Sequence, residues 1–336
     1  MKVLLVGGTK FIGKYISEEF EKNNDEVFFL NRGITSKNEN TIICDIEKIV
    51  EKKDLILSHN FDIVVHCICN TEKNATDLVE IFKNTKTKLI ILSSQDCYHA
   101  FQELVRGKNS SDYPIDEKSA LTDIKYYYSH INSARDKYDK NLMTNILIDS
   151  YNRNEINLTI FRLPMVYGPY DYQFAGRHGE IIKRIIDKKE NYIISASKYH
   201  SIWTFLYVEN IADAILFSID KDITNGKIYN LGETKVRSWK LWIDLYSKIA
   251  NFDLKCQILP DEILSEKKEL DNNEPYHVIS SAELFHKDTG YIEKISIEEG
   301  IKRTFDYASK NIDILPKIDY EKEEKLLDKY NNFLKN

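Results

Sequence analysis

The sequence predicts an α/β fold, a doubly wound parallel sheet followed by a smaller α/β region, and three observations predict it. Short apolar β-type runs alternate with helix-spaced segments from Val3 to Leu92, the rhythm of βαβ units with helices on both faces of a sheet. The runs lack polar alternation, as strands covered on both faces do. The first run ends at Gly7-Gly8, and Gly13 follows inside a helix-type stretch. A chain of 336 residues suits one large α/β domain or about two smaller ones, with a core that needs no staples.

The elements follow in order. Val3–Val6 reads as the first strand and Ile12–Lys22 as the first helix. Val27–Leu30, Ile42–Cys44 and Ile63–Ile68 are the next strands, Ala75–Phe82 a helix, and Leu89–Leu92 the fifth strand. A polar stretch from Gln102 to Tyr128 precedes a long helix expected over Ser133–Tyr151. Leu158–Leu163 is a sixth strand, stopped by Pro164. Further helices are expected at Gly179–Asp187, Val208–Ser218, Ser238–Ile249, Ile297–Ser309 and Tyr320–Leu334. No repeat and no Gly/Ser linker divides the chain. Residues 1–165 therefore read as a dinucleotide-binding domain into which strands return from the second half, and 166–336 as mostly the substrate side.

Composition narrows the function. Lysine plus arginine number 47 against 53 acidic residues, a net charge of −6, which speaks against a nucleic-acid-coating role that needs clustered cations. Five cysteines are an odd, sparse count that fits a reducing compartment rather than a disulfide scaffold. The apolar N-terminal run is too short for a signal peptide, and no run reaches membrane length, so a soluble cytoplasmic protein is expected. Cys67-Ile68-Cys69 matches no common zinc spacing, and His66, His99, His130 and His178 show no paired ligand spacing, so no metal is expected.

The segment Gly7-Gly8-Thr9-Lys10-Phe11-Ile12-Gly13 stands between strand and helix. There a first glycine allows the sharp turn, a last one lets helix pack on strand, and the helix N-terminus faces a pyrophosphate. Lys10 replaces the usual middle glycine with a cation. The second strand ends Leu30-Asn31-Arg32-Gly33 with no carboxylate. An acid there would grip a ribose 2′-hydroxyl, whereas arginine accommodates a 2′-phosphate, so NADP(H) is expected, with NAD(H) as the alternative. Asp45, with Ile46 beside it, is a candidate adenine contact or a helix N-cap.

These residues resemble the extended short-chain dehydrogenase/reductase family, the NAD-dependent epimerase/dehydratase group, over nearly the whole chain. Gly7–Gly13 is similar to its nucleotide loop. Asp62–Cys69 resembles the strand that walls the cofactor, implying contacts from Cys67, Ile68 and Cys69. Ser93-Ser94-Gln95-Asp96-Cys97-Tyr98 is similar to its active-site strand end. Phe161–Pro169 resembles the strand leading to the substrate domain, with Leu163 and Met165 facing the cofactor and Tyr167 the substrate. Phe205–Ile215, Thr289-Gly290-Tyr291 and Ser296–Gly300 resemble later segments. The resemblance implies a Rossmann domain and hydride transfer at a carbinol of a sugar-like substrate, free or nucleotide-activated.

The departures matter more. The family places a tyrosine four residues before a lysine on one helix face. Lys140 fits the lysine position, with Asp136 four residues before it. Tyr138 is only two before it, about 200° around a helix, so its hydroxyl reaches the usual place only if the helix begins after Tyr138. Tyr126, Tyr127 and Tyr128 precede it in a loop. Ser94 matches the family's active-site hydroxyl and Ser93 the strand residue before it. Asp96 stands where relatives use a carboxylate for proton transfer, while Gln95 replaces a second acid. Trp203 lies where many relatives clamp a diphosphate with arginine. Tyr98, Arg177, His178 and Arg237 are the remaining candidate substrate contacts. An apolar stripe of Tyr138, Leu142, Met143, Ile146 and Leu147 faces the core or, as the resemblance implies, pairs across a homodimer. The competing reading is a cofactor-binding, RNA-binding or regulatory protein that kept the fold and lost the tyrosine–lysine pair.

Overall fold

The computed structural model describes residues 1–34, 38–106, 108, 113–130, 135–171, 173, 178–261, 263 and 277–335. The strands of these residues are β1 Lys2–Val6, β2 Glu26–Asn31, β3 Thr41–Ile43, β4 Ile63–His66, β5 Lys88–Ser94, β6 Asn157–Leu163, β7 Met165–Tyr167, β8 Asn191–Ser195, β9 Ile202–Trp203, β10 Phe205–Tyr207, β11 Lys227–Asn230, β12 Arg237–Ser238 and β13 Lys255–Leu259. Seven of them form one sheet in the order β3-β2-β1-β4-β5-β6-β11. Every pairing in it is parallel.

Alternation along the strands sends neighbouring side chains to opposite faces. Val3, Leu5, Val65 and Leu92 enter one apolar cluster, and Leu4, Val6, Val64 and Leu89 the other. Both faces are covered, which is why the strands read as continuous apolar runs. Helix α1 (Phe11–Lys22) lies on the first face. After α2 (Lys53–Ser58), α3 (Glu72–Phe82) covers the second. The next helix, α4 (His99–Val105), extends into the stretch expected to be only polar loop.

Helix α5 (Lys140–Asn152) corrects the expected helix over Ser133–Tyr151. It starts at Lys140 because Asp139 caps it, its side chain accepting from the amides of Asn141 and Leu142 at 3.0 and 2.9 Å. Asp139 itself is extended, with φ −153° and ψ 102°. Ser133, where the longer helix was expected to begin, lies outside the described residues. The apolar stripe of α5 is used by the core: Met143 and Leu147 are fully buried against the sheet beside α3. Leu142 and Ile146 of the same stripe are half-buried.

The second half adds α6 (Gly179–Ile186), α7 (Ala196–His200), α8 (Val208–Ser218), α9 (Trp239–Ala250), α10 (Glu283–Thr289), α11 (Ile297–Lys310) and α12 (Tyr320–Lys335). Three small strand pairs, β7–β10, β8–β13 and β9–β12, stand beside the main sheet, while β11 returns to its edge against β6. Helix α8 packs on α1. A buried bidentate pair, Arg184 to Glu323 at 2.6 and 2.8 Å, fastens α12 to α6. Among the described residues no helix is long and apolar enough to cross a membrane.

Candidate functional site

The C-terminal edges of β1, β2, β4 and β5 bring two groups of predicted residues to one end of the sheet, where doubly wound folds place their ligands. The first group is the glycine loop. Gly7 has φ +78°, a left-handed conformation that glycine adopts without strain, and its amide donates to Leu30 O. A Cβ on Gly13 would stand 2.3 Å from Gly8 Cα, so only glycine lets α1 sit this close to the loop. Lys10 precedes α1 in extended conformation and its side chain does not cap the helix. Thr9 and Ile12 are half-buried, and the Phe11 side chain is spent on the core. Ile68 lies over Gly7, where an added Cβ would meet its side chain at 2.8 Å.

At the end of β2, Asn31 Oδ1 accepts from the Gly33 amide at 2.6 Å. Its Nδ2 is buried without a hydrogen-bond partner, and Arg32 beside it is exposed. Asp45 Oδ1 accepts from the Glu47 amide, so this side chain caps the short helix that begins at Ile46. The glycine loop, the uncapped start of α1 and the orphaned side-chain amide of Asn31 together fit a dinucleotide.

The second group is gathered by β5. Ser94 Oγ accepts from the Asp96 amide at 3.3 Å and so caps the turn Gln95–Cys97, which leaves the Asp96 carboxylate for the cleft. The Tyr138 hydroxyl donates to Asp96 Oδ2 at 2.8 Å, while Asp96 Oδ1 is buried with no partner. Lys140 Nζ, at the first position of α5, donates to Cys69 O and Leu92 O at 2.8 and 3.1 Å and lies 5.7 Å from the Tyr138 ring centre. Tyr128 packs edge-on against Tyr138 with centroids 5.4 Å apart. Thr122, Tyr127 and Asn141 complete the lining of the small cleft in front of Asp96.

Burial dominates the electrostatics. Removal from water, reinforced by the charge of Asp96, holds the Tyr138 hydroxyl well above its ordinary pKa of 10.0. The same two causes act on Tyr128. Burial lowers Lys140 below its usual range and pushes the thiols of Cys67 and Cys69 up to about 12. Tyr138 is accordingly a proton donor in this arrangement, and the acceptor is the carboxylate it points to.

Ser93 Oγ is buried and unpartnered at the end of β5, Leu163 is buried and Met165 half-buried. Tyr98 is fully buried, its hydroxyl donating to Asn230 at 2.7 Å and accepting from Arg162 at 2.9 Å. Gln95 is likewise a tie, bonded to Leu231 O and by Ser280. Tyr167 and His178 are buried among Trp242, Phe205 and Tyr246. Tyr167 donates to Glu233. Arg237 is paired with Glu233 at 3.1 Å. Trp203 is half-buried and bridged to Val278. The bonds of Gln95, Tyr98, Tyr167 and Arg237 tie parts of the fold to one another and do not reach Asp96. Arg177 lies outside the described residues.

Two residues were missed in the sequence. Asp139 both caps α5 and accepts from the Tyr126 amide at 3.0 Å; an Asp directly before a helix-type run was its signal. Arg135 lies over the rings of Tyr128 and Tyr138, and no spacing rule marks such a contact.

Residues 3–232 match the family model described as the NAD dependent epimerase/dehydratase family. An uncharacterized protein of Methanocaldococcus jannaschii is 30% identical over 183 residues, 54% of this chain and 51% of that protein. The match thus spans about half the length of that relative. Among solved structures, UDP-glucose 4-epimerase from Thermotoga maritima superposes with a TM-score of 0.70 at 20% identity, covering 93% of this chain and 100% of the other. The dTDP-glucose 4,6-dehydratase of Bacillus anthracis, solved with NAD, gives 0.68 at 16%, covering 93% and 98%.

Proposed function

The chain belongs to the NAD dependent epimerase/dehydratase family, and from that premise we propose that it is an NADP(H)-dependent enzyme acting at a carbinol of a sugar-like substrate. The observation that carries this reading is the Tyr138–Asp96 hydrogen bond of 2.8 Å beside Lys140. It restores a proton-handling phenol to a sequence whose tyrosine–lysine spacing is broken. The sugar nucleotide of the Thermotoga structure supports an activated sugar as one form of the substrate.

The nicotinamide, when bound, supplies hydride acceptance and return. The residues of this chain do the rest. Gly7–Gly13 and the first turn of α1 hold the pyrophosphate, with Asn31, Asp45, Ile46 and Ile68 around the adenosine half. Arg32 and Lys10 meet a 2′-phosphate, which favours NADP(H) over NAD(H). Lys140 keeps its remaining N–H for a ribose hydroxyl, and Cys67, Ser93, Leu163 and Met165 wall the nicotinamide half. Asp96 Oδ1 takes the carbinol proton as the hydride leaves. Tyr138, held protonated, donates to the substrate oxygen or holds Asp96 in place. Ser94 orients the Asp96 turn.

The test is a fluorescence titration with NADPH and NADH, followed by turnover of a panel of nucleotide sugars and free sugar acids. Tighter binding of NADPH and loss of turnover in Asp96→Asn support the reading. Failure to bind either cofactor, or full turnover in Asp96→Asn, overturns it.

A further inference from the structure

Among the described residues, arginines are nearly all committed. Arg106, Arg153, Arg184, Arg237 and Arg303 each hold a carboxylate, and Arg162 holds the Tyr98 hydroxyl. Only the side chains of Arg32 and Arg135 have no hydrogen bond or ion pair to another described residue, and both residues are exposed. Arg32 stands at the adenosine end of the cleft. Arg135 stands at the opposite end, over the site.

Its position is built. The Tyr138 amide donates to Arg135 O at 3.0 Å, closing a turn that puts the two side chains on one side of the chain. The guanidinium carbon lies 5.3 Å from the Tyr138 ring centre and 5.4 Å from that of Tyr128. Contact with two aromatic rings fixes a guanidinium while using none of its five N–H donors in hydrogen bonds. Asp96 meets Tyr138 at its hydroxyl, so one phenol touches both the cation and the carboxylate. A planar, anchored, unpartnered fork of donors is suited to bidentate binding of an oxyanion. No other described arginine near the site is free to do it, since Arg237 is paired and Trp203 occupies the turn before Phe205.

We propose that Arg135 is the contact for an oxyanion on the substrate, a carboxylate or a phosphate, which brings the reacting carbinol to Tyr138 and Asp96; this deepens the function proposed above and rests on it. The substrate class is then an acidic or phosphorylated polyhydroxy compound, with its charge held on the Tyr128–Tyr138 rim.

Inorganic phosphate and acetate, titrated separately into the full chain saturated with NADPH, test this by NMR of the arginine Nε–H groups. One signal, missing in Arg135→Gln, should move and saturate in the millimolar range. Saturation by phosphate alone identifies a phosphate ester as the source, and saturation by acetate a carboxylate. No saturable movement of that signal with either ion overturns the proposal. NADPH affinity should be unchanged in Arg135→Gln. Failure of the unaltered chain to bind NADPH sinks the family-level mechanism instead, and the two ion titrations are then read without cofactor.

Discussion

Tyr138 donates a hydrogen bond to Asp96 across 2.8 Å, bringing together residues from a loop and a strand end that are far apart in sequence. The contact exists because α5 begins at Lys140, which leaves Tyr138 outside the helix and Asp139 extended. Inside a helix, Tyr138 and Lys140 would point about 200° apart. Ahead of the helix, the phenol reaches Asp96 at the end of β5 while Lys140 points to Cys69 O and Leu92 O.

The division of labour between the two residues is measurable. Asp96→Asn and Tyr138→Phe should both fold and bind cofactor, and each should lose turnover by about 10²–10⁴-fold. Because burial and Asp96 keep the phenol protonated throughout the assay range, no limb of the pH–rate profile should disappear in Tyr138→Phe. A limb lost there would return the base role to the tyrosine.

The cap of α5 should matter to the site as well as to the helix. Asp139→Ala removes two bonds to the helix amides and one to Tyr126, at a cost of about 1 kcal/mol or somewhat more. Urea unfolding reads that loss. Turnover should fall by a larger factor than stability explains, because the same carboxylate fixes the chain on both sides of Tyr138.

Gly13→Ala places a methyl 2.3 Å from Gly8 Cα, against backbone that cannot turn aside. The loop and α1 must separate, costing about 1–3 kcal/mol as other overpacked sites do. NADPH affinity should fall with the melting temperature. A variant with unchanged affinity would place the pyrophosphate elsewhere.

Arg32→Glu should weaken NADPH about tenfold or more, the worth of one lost ion pair and one gained repulsion. NADH should lose far less. Parallel losses for the two cofactors would remove Arg32 from the 2′-position.

Glu233 predicts a pH dependence of stability. Burial raises its carboxyl to about 8, with Arg237 and the hydrogen bond from Tyr167 opposing and Glu293 and Glu298 adding to the rise. The folded state therefore keeps a proton that the unfolded chain releases near its ordinary 4.5. Stability from this group is complete below that value and is lost as pH climbs through 8, by at most about 1.4 kcal/mol per pH unit. Buried His66 acts in reverse, its pKa pushed down to about 3 from 6.5, so stability falls as pH drops through that window. Glu233 is isolated above pH 6.5, and Glu233→Gln should flatten the melting-temperature decline there.

Much of this protein is legible in local pattern. The sheet strands and the helices that cover them announce themselves because apolar periodicity is a property of neighbouring residues, and Val208–Ser218 is found where it was expected. The glycine loop is equally local, since a turn, a positive φ and a close helix approach all act within Gly7–Gly13. Asp96, Tyr138 and Lys140 could be named as candidates from their order along the chain. Whether they meet could not, because it depends on the Asp139 cap that starts α5 at Lys140, inside a continuous helical pattern. Tyr98, Tyr167 and His178 have the composition of binding residues, yet folding places them against Asn230, Glu233 and Tyr246. A hydroxyl or an imidazole is chemically the same in a cleft and in a core. Only the partners that tertiary packing brings within 3 Å or so decide which of the two it occupies.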